Sequence, residues 1–137
     1  MADTIDGCNE KLGENKQTQS DGTMMRDLTW SHAEKVIARE AFRRALDREF
    51  RETITKTKEI AKNIEQPADL WELEGYLTDS RKEIDRQYDY RYSVLPLVFG
   101  NLVRRGRLRM EELSGLREDK LKAIRSYVRL FDDADAA

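Results

Sequence analysis

The sequence predicts an all-α fold: a long antiparallel helical hairpin plus a small C-terminal helical head, paired as an elongated homodimer. Three observations lead there. Apolar residues make up 39% of the 137 residues and charged residues 38%, whereas ordinary globular domains hold about 45–50% apolar and about 25% charged residues. A compact sphere needs more core-forming side chains than that; long helices with wet faces need fewer. No proline or glycine interrupts the chain between Ser31 and Pro67, so one helix can run the whole way. The densest apolar stretch, Val94 to Val103, comes late and is short.

The chain divides into a tail (1–27), a hairpin for dimerisation (28–92) and a head (93–137). The tail has no aromatic residue, and six acids (Asp3, Asp6, Glu10, Glu14, Asp21, Asp27) oppose three bases (Lys11, Lys16, Arg26). With so little apolar surface to offset ordering entropy, this acidic segment is expected to be disordered.

The first helix should start at Ser31. Ser31-His32-Ala33-Glu34 fits a capping box, in which the serine caps the Glu34 amide and Glu34 reaches back. Trp30 precedes the cap where a hydrophobic staple would sit. Ala33, Ile37, Ala41 and Ala45 recur at helical spacing, followed by Phe42, Leu46, Phe50, Ile54, Ala61 and Ile64. A helix of about 34 residues spans roughly 50 Å, beyond the roughly 35 Å diameter of a compact domain of this size. It must overhang any globule this chain builds alone, and its apolar stripe needs a partner there.

Pro67 suits the first turn of a second helix. Leu70, Leu73, Leu77, Ile84 and Tyr88 mark one face of it, with Trp71 and Tyr76 beside that stripe. Ser93 is placed to cap a short third helix carrying Pro96 in its first turn. Val94, Leu95, Leu97, Val98, Phe99, Leu102 and Val103 make this helix apolar nearly all round, the mark of a buried helix. Arg104 and Arg105 complement its dipole, and Gly106 suits a left-handed C′ position. A short turn follows through Leu108, Met110, Leu113 and Leu116, then a last helix from about Arg117 to Phe131.

Several function classes drop out. The longest apolar run, Val94 to Phe99, is far short of the roughly 20 residues of a membrane span. No apolar signal-peptide core follows the N-terminus, and a cytoplasmic location is expected. Cys8 is alone, and there is no CxxC or His/Cys cluster for a metal. His32, the single histidine, has no nucleophile beside it in the pattern, so no enzyme and no cofactor are expected. The net charge of −2 argues against non-specific nucleic-acid binding. Arg104, Arg105, Arg107 and Arg109 form a cluster that either borders a solvated turn or meets an acidic partner or phosphate.

Longer runs carry a resemblance. Asp69-Leu70-Trp71-Glu72-Leu73, Arg81-Lys82-Glu83-Ile84-Asp85 and Tyr88-Asp89-Tyr90-Arg91-Tyr92-Ser93-Val94 resemble the fluorescence recovery protein family of cyanobacteria. So do Phe99, Leu102, Glu111-Glu112-Leu113, Leu116, Asp119-Lys120 and Ile124, and at the front Trp30-Ser31, Ala33-Glu34, Phe42 and Arg48-Glu49. The resemblance implies an all-helical dimer that binds the photoactivated, red form of the orange carotenoid protein through that protein's C-terminal domain. It further implies that binding speeds the return to the dark form and ends quenching at the phycobilisome, a population shift without bond chemistry. It implies a partner-binding or dimer surface at Trp71, Glu74, Gly75, Arg81, Leu97, Phe99 and Lys120. Trp71 can equally pack within the hairpin, Arg81 can be a plain exposed arginine, and Leu97 and Phe99 can be ordinary core. The chain departs from the family where a His-Asp pair often follows the tryptophan: here it reads Glu74-Gly75. That departure suits a relative whose protein partner is not a carotenoid protein.

Overall fold

The computed structural model describes residues 28–136. The tail over 1–27 lies outside the described residues, as does Cys8. Within them the chain is helical, in the order α1 (His32–Lys62), α2 (Pro67–Gln87), α3 (Leu95–Arg104), a 3₁₀ turn (Met110–Leu113) and α4 (Glu118–Ala136).

α1 begins as the sequence predicts. The Ser31 hydroxyl accepts from the Glu34 amide at 3.2 Å, and the Glu34 carboxylate accepts from the Ser31 amide at 3.0 Å. Its 31 residues span about 46 Å. The Trp30 ring, expected as a staple for α1, sits 5.6 Å from the Tyr92 ring. α2 starts with Pro67 in its first turn; Asp69 turns back to accept from the amides of Glu65 and Gln66. The Tyr88 hydroxyl reaches Ala45 and Glu49 of α1, so α2 runs back along α1 from the turn at 63–66.

α3 differs from expectation at its start. Ser93 does not cap it; the N-cap is Val94, and no side chain bonds the first turn. Pro96 in that turn removes one donor that would need a cap. Its end is as expected. Gly106 adopts φ 82°, the Gly106 amide donates to Val103 and the Arg107 amide to Leu102. Those two bonds make a Schellman motif, which only a residue tolerant of positive φ closes without strain. α4 runs to Ala136, five residues past the predicted end.

The core sits where α3, α4 and the turn between them meet the first half of α1. Leu95, Phe99, Leu102, Leu108, Leu113 and Ile124 are fully buried there, each worth about 1.5–3 kcal/mol relative to exposure. α1 supplies Ala38, Ala41 and Ala45. Their small side chains let the head lie close to the helix. α3 and α4 approach as closely at Gly100, where a Cβ would stand 2.5 Å from Tyr127 Cβ and 3.2 Å from the Ile124 carbonyl. Phe42, Tyr88, Tyr90 and Tyr92 stack edge to face along one flank, with centroids 4.9–5.6 Å apart.

Two residues expected at a partner surface belong to this interior. Phe99 is fully buried in the core cluster that includes Leu95, Leu102 and Ile124, so the ordinary-core alternative holds for it. Lys120 is also fully buried. Its ammonium donates to Glu34 at 3.1 Å and to the Thr29 carbonyl, and lies 5.4 Å from the Trp30 ring. Glu34 also accepts from the Arg117 amide at 2.8 Å. One carboxylate thus caps α1 and joins it to the start of α4. Burial penalises the Glu34 anion, and the bonds from Ser31, Arg117 and Lys120 outweigh that and hold its pKa below the usual value.

Candidate functional site

Beyond Glu49 the surroundings change. α2 has no buried residue along its 21 positions. The residues that α1 and α2 turn toward each other are half-buried: Thr53, Thr57 and Ile60 on one side, Leu73, Tyr76, Ser80, Ile84 and Gln87 on the other. Polar groups interrupt this seam. The Thr53 and Thr57 hydroxyls bond carbonyls of their own helix, one turn back. A groove of about 200 Å³ remains between the helices, lined by Thr53, Lys56, Tyr76, Ser80, Glu83 and Ile84 among others. Among the described residues no cluster of metal-ligating side chains exists.

Other large apolar side chains of this arm point outward. Phe50, Ile54, Leu70, Leu77 and Trp71 are between 41% and 67% exposed, Trp71 the most. Phe50 and Ile54 each follow a seam position of α1 by one residue, as Leu77 follows Tyr76 on α2. One residue is a 100° step around a helix. Because the two helices run in opposite directions, that step carries both sets to the same side. Phe50, Ile54, Leu70 and Leu77 therefore point to the same side of the arm, as do Glu74 after Leu73 and Arg81 after Ser80. The predicted α2 stripe splits accordingly: Leu73 and Ile84 face α1, while Leu70 and Leu77 remain outside.

The other predicted surface residues fall around this side. Glu74 and Arg81 are exposed on α2. Gly75 is exposed as well, with no atom within 4 Å of where a Cβ would stand. Leu97 is half-buried on the head, a helix away from the arm. The structure brings Trp71, Glu74, Gly75 and Arg81 together on one helix; Leu97 stands apart, and Phe99 and Lys120 are interior.

Between arm and head lies an ion network that the sequence reading missed. The Glu49 carboxylate, itself buried, receives Arg105 at 3.0 and 3.2 Å, Arg107 at 3.0 Å and the Tyr88 hydroxyl at 2.9 Å. Arg105 also donates to the Gln87 side chain at 2.6 Å, and Arg107 pairs with Glu52 at 3.1 Å. Burial raises the Glu49 pKa, but the bonds from Arg105, Arg107 and Tyr88 overcome it and bring the value down to about 2. Burial and the facing carboxylate push the Tyr88 hydroxyl pKa well up. A second clamp joins Arg48 to Glu112 in a two-pronged pair at 2.8 and 2.6 Å. The Arg48 bond, set against burial, draws Glu112 down to about 2.

These contacts correct the arginine cluster. Arg105 and Arg107 are mostly buried rather than bordering a solvated turn; they close on an acid 56 and 58 residues earlier. Arg104 lies over the Phe131 ring. One signal was present in the sequence. Glu49 falls one helical turn before Thr53, in register with the seam, where a lone carboxylate demands a cation.

Residues 30–128 match the family described as photoprotection regulator fluorescence recovery protein. The chain is 40% identical over 104 residues to the fluorescence recovery protein of Synechocystis sp., covering 76% of this chain and 95% of that one. Its fold is similar to the solved Fremyella diplosiphon fluorescence recovery protein (TM-score 0.71, 42% identity, 74% of this chain and 99% of that one). The Synechocystis structure matches at TM-score 0.71 and 39% identity, with 74% of this chain and 99% of that one covered. No helix of the described residues is long and apolar enough to cross a membrane. The chain belongs to the fluorescence recovery protein family of photoprotection regulators.

Proposed function

We propose that this protein binds the photoactivated orange carotenoid protein in the cytoplasm, acts on its C-terminal domain, and speeds its return to the dark form without bond chemistry. The observation that carries this reading is the family match across residues 30–128, nearly the whole described fold. It acts as a homodimer built on the hairpin within 28–92, with 93–137 as the head. The exposure of Phe50, Ile54, Leu70 and Leu77 on one side of the arm supports that assembly, since clustered exposed apolar side chains mark interaction sites. Trp71, Glu74, Gly75, Arg81 and Leu97 are the proposed contact residues for the dimer or the carotenoid protein.

The test is to mix the protein at micromolar excess with photoactivated orange carotenoid protein and follow decay of the red absorbance. Faster decay is expected; an unchanged rate overturns this reading. A second reading then stands, in which the same dimer serves a protein partner without carotenoid. It is favoured by Glu74-Gly75, which leaves α2 without a side chain in the open space above position 75. Light scattering after size exclusion is expected to give twice 16.1 kDa. Ile54→Glu combined with Leu77→Glu is expected to halve that mass and leave the helical content intact.

A further inference from the structure

α2 carries four outward side chains in one line: Leu70, Glu74, Leu77 and Arg81, all exposed. Their spacing of four, three and four residues keeps them within about 60° of one another around the helix. The line lies about a quarter turn from the seam positions Leu73, Ser80, Ile84 and Gln87. Its order is apolar, acid, apolar, base. Among the described residues neither Glu74 nor Arg81 pairs with a side chain of its own chain, whereas Glu83 and Arg86 on the same helix pair with each other. Position 75, one step round from Glu74, is bare.

This order is its own complement. Leu77 lies three residues after Glu74 and four before Arg81. Turning a second α2 end for end about a point beside Leu77 sets Glu74 of each copy against Arg81 of the other, with the two Leu77 side chains at the centre. A twofold contact requires that reciprocity, residue i on j and j on i. Other arrangements lack it. Side by side in the same direction, Glu74 meets Glu74 and Arg81 meets Arg81. End for end about a neighbouring turn, a charge faces a leucine or its own twin. α1 extends the match. Phe50 follows Glu49, which shares Arg105 with Gln87, so Phe50 stands level with the last turn of α2, while Leu70 lies in its first turn. The same rotation carries the Leu70 end of one copy onto the Phe50 end of the other. Apolar side chains then meet at both margins as well as at the centre.

We propose that α2 pairs with α2 of a second copy, antiparallel and centred on Leu77, with Glu74 and Arg81 exchanging ion pairs across the twofold axis. The pairing rests on the homodimer reading above and adds its direction and register. Leu70, Leu77 and Phe50 supply the attraction, by leaving water. The charges act chiefly as selectors. An ion pair at a rim contributes little, but like charges set together in a wrong register cost far more. Glu74 and Arg81 thus fix which way round the apolar contact is made.

Charge reversal in the full-length protein tests it, read by sedimentation equilibrium. Glu74→Arg or Arg81→Glu alone sets like charges together at both symmetric contacts and is expected to raise the dimer dissociation constant at least about tenfold. Glu74→Arg combined with Arg81→Glu restores opposite charges and is expected to return the constant to within about threefold of the unchanged protein. No effect of either reversal overturns the pairing, and so does loss in both without recovery in the double. A second measurement reads the register directly. On a Cys8→Ser background an introduced thiol is unique. Leu77→Cys is expected to be joined to its twin by a bis-maleimide spanning one helix–helix distance, roughly 8–10 Å. Leu70→Cys is expected to stay unjoined, its twin being roughly 20 Å away. Any other pattern with the dimer intact overturns this register alone. A 16.1 kDa monomer of the unchanged protein overturns the homodimer reading and the register with it.

Discussion

The two halves of α1 belong to one unbroken helix and do opposite things with their side chains. From Ala38 to Ala45 the buried residues are small, and all three alanines are essentially inaccessible. From Phe50 to Ile54 the residues are large, and about half of each is in solvent. Small residues are buried because the head lies directly on the helix, and close approach leaves no room for more. Large residues are exposed because α2 comes only alongside them, on a polar seam. Burial in this chain follows where a second layer exists, not where hydrophobicity is greatest. The head is a finished core; the arm leaves large apolar side chains exposed.

The sharpest way to test that contrast is to remove one phenylalanine from each region. Phe99→Ala is expected to cost about 3–5 kcal/mol in chemical denaturation, since it empties a fully enclosed site. Phe50→Ala should change the stability of the isolated protomer by less than about 0.5 kcal/mol, and any larger loss must come through self-association. Equal losses at low protein concentration would contradict the division. Gly100→Ala forces a methyl into the α3–α4 contact against Tyr127 and is expected to destabilise by about 1–3 kcal/mol, read as a lowered midpoint in urea.

Acid probes the seams between the regions. Glu49 and Glu112 both ionise near pH 2 in the fold, below the ordinary 4.5. The unfolded chain therefore takes up these protons first. Their contribution is complete above about pH 4.5 and is lost as pH falls toward 2. Melting temperature followed by circular dichroism should be level between pH 8 and 5 with respect to these groups and decline below. Replacing Glu112 by Gln should flatten part of that decline. The smallest effect is expected in the arm. Gly75→Ala meets open space and should stabilise α2 by up to about 1 kcal/mol through helix propensity alone. If it instead weakens self-association or partner binding, the bare backbone at position 75 is itself a contact.

Much of this was legible in the residues. The capping box at Ser31–Glu34, Pro67 opening α2 and Gly106 closing α3 are local signals, decided within one helical turn. The spread of family motifs from Trp30 to Ile124 likewise pointed to the family that residues 30–128 match. The misreadings share a cause. Of the two readings left open for Phe99 the core one holds, whereas Lys120 on α4 has no local mark of facing inward, since a lysine reads as exposed unless its acid is known. That acid, Glu34, lies 86 positions away. Arg105 and Arg107 were misjudged for the same reason, their partner being in the middle of α1.

Sequence alone determined the helices, their caps and their order, because hydrogen bonds between neighbours and the rhythm of apolar residues act over a few positions. It determined too that a helix this long would outreach the head. Tertiary structure decided which face of each helix is inside. It turned Phe99 and Lys120 inward, left Phe50, Ile54 and Trp71 outward, and gathered Tyr88, Arg105 and Arg107 around Glu49. Those outcomes depend on contacts between residues far apart in the chain, and the energy of burying a charge exists only once its distant partner has arrived.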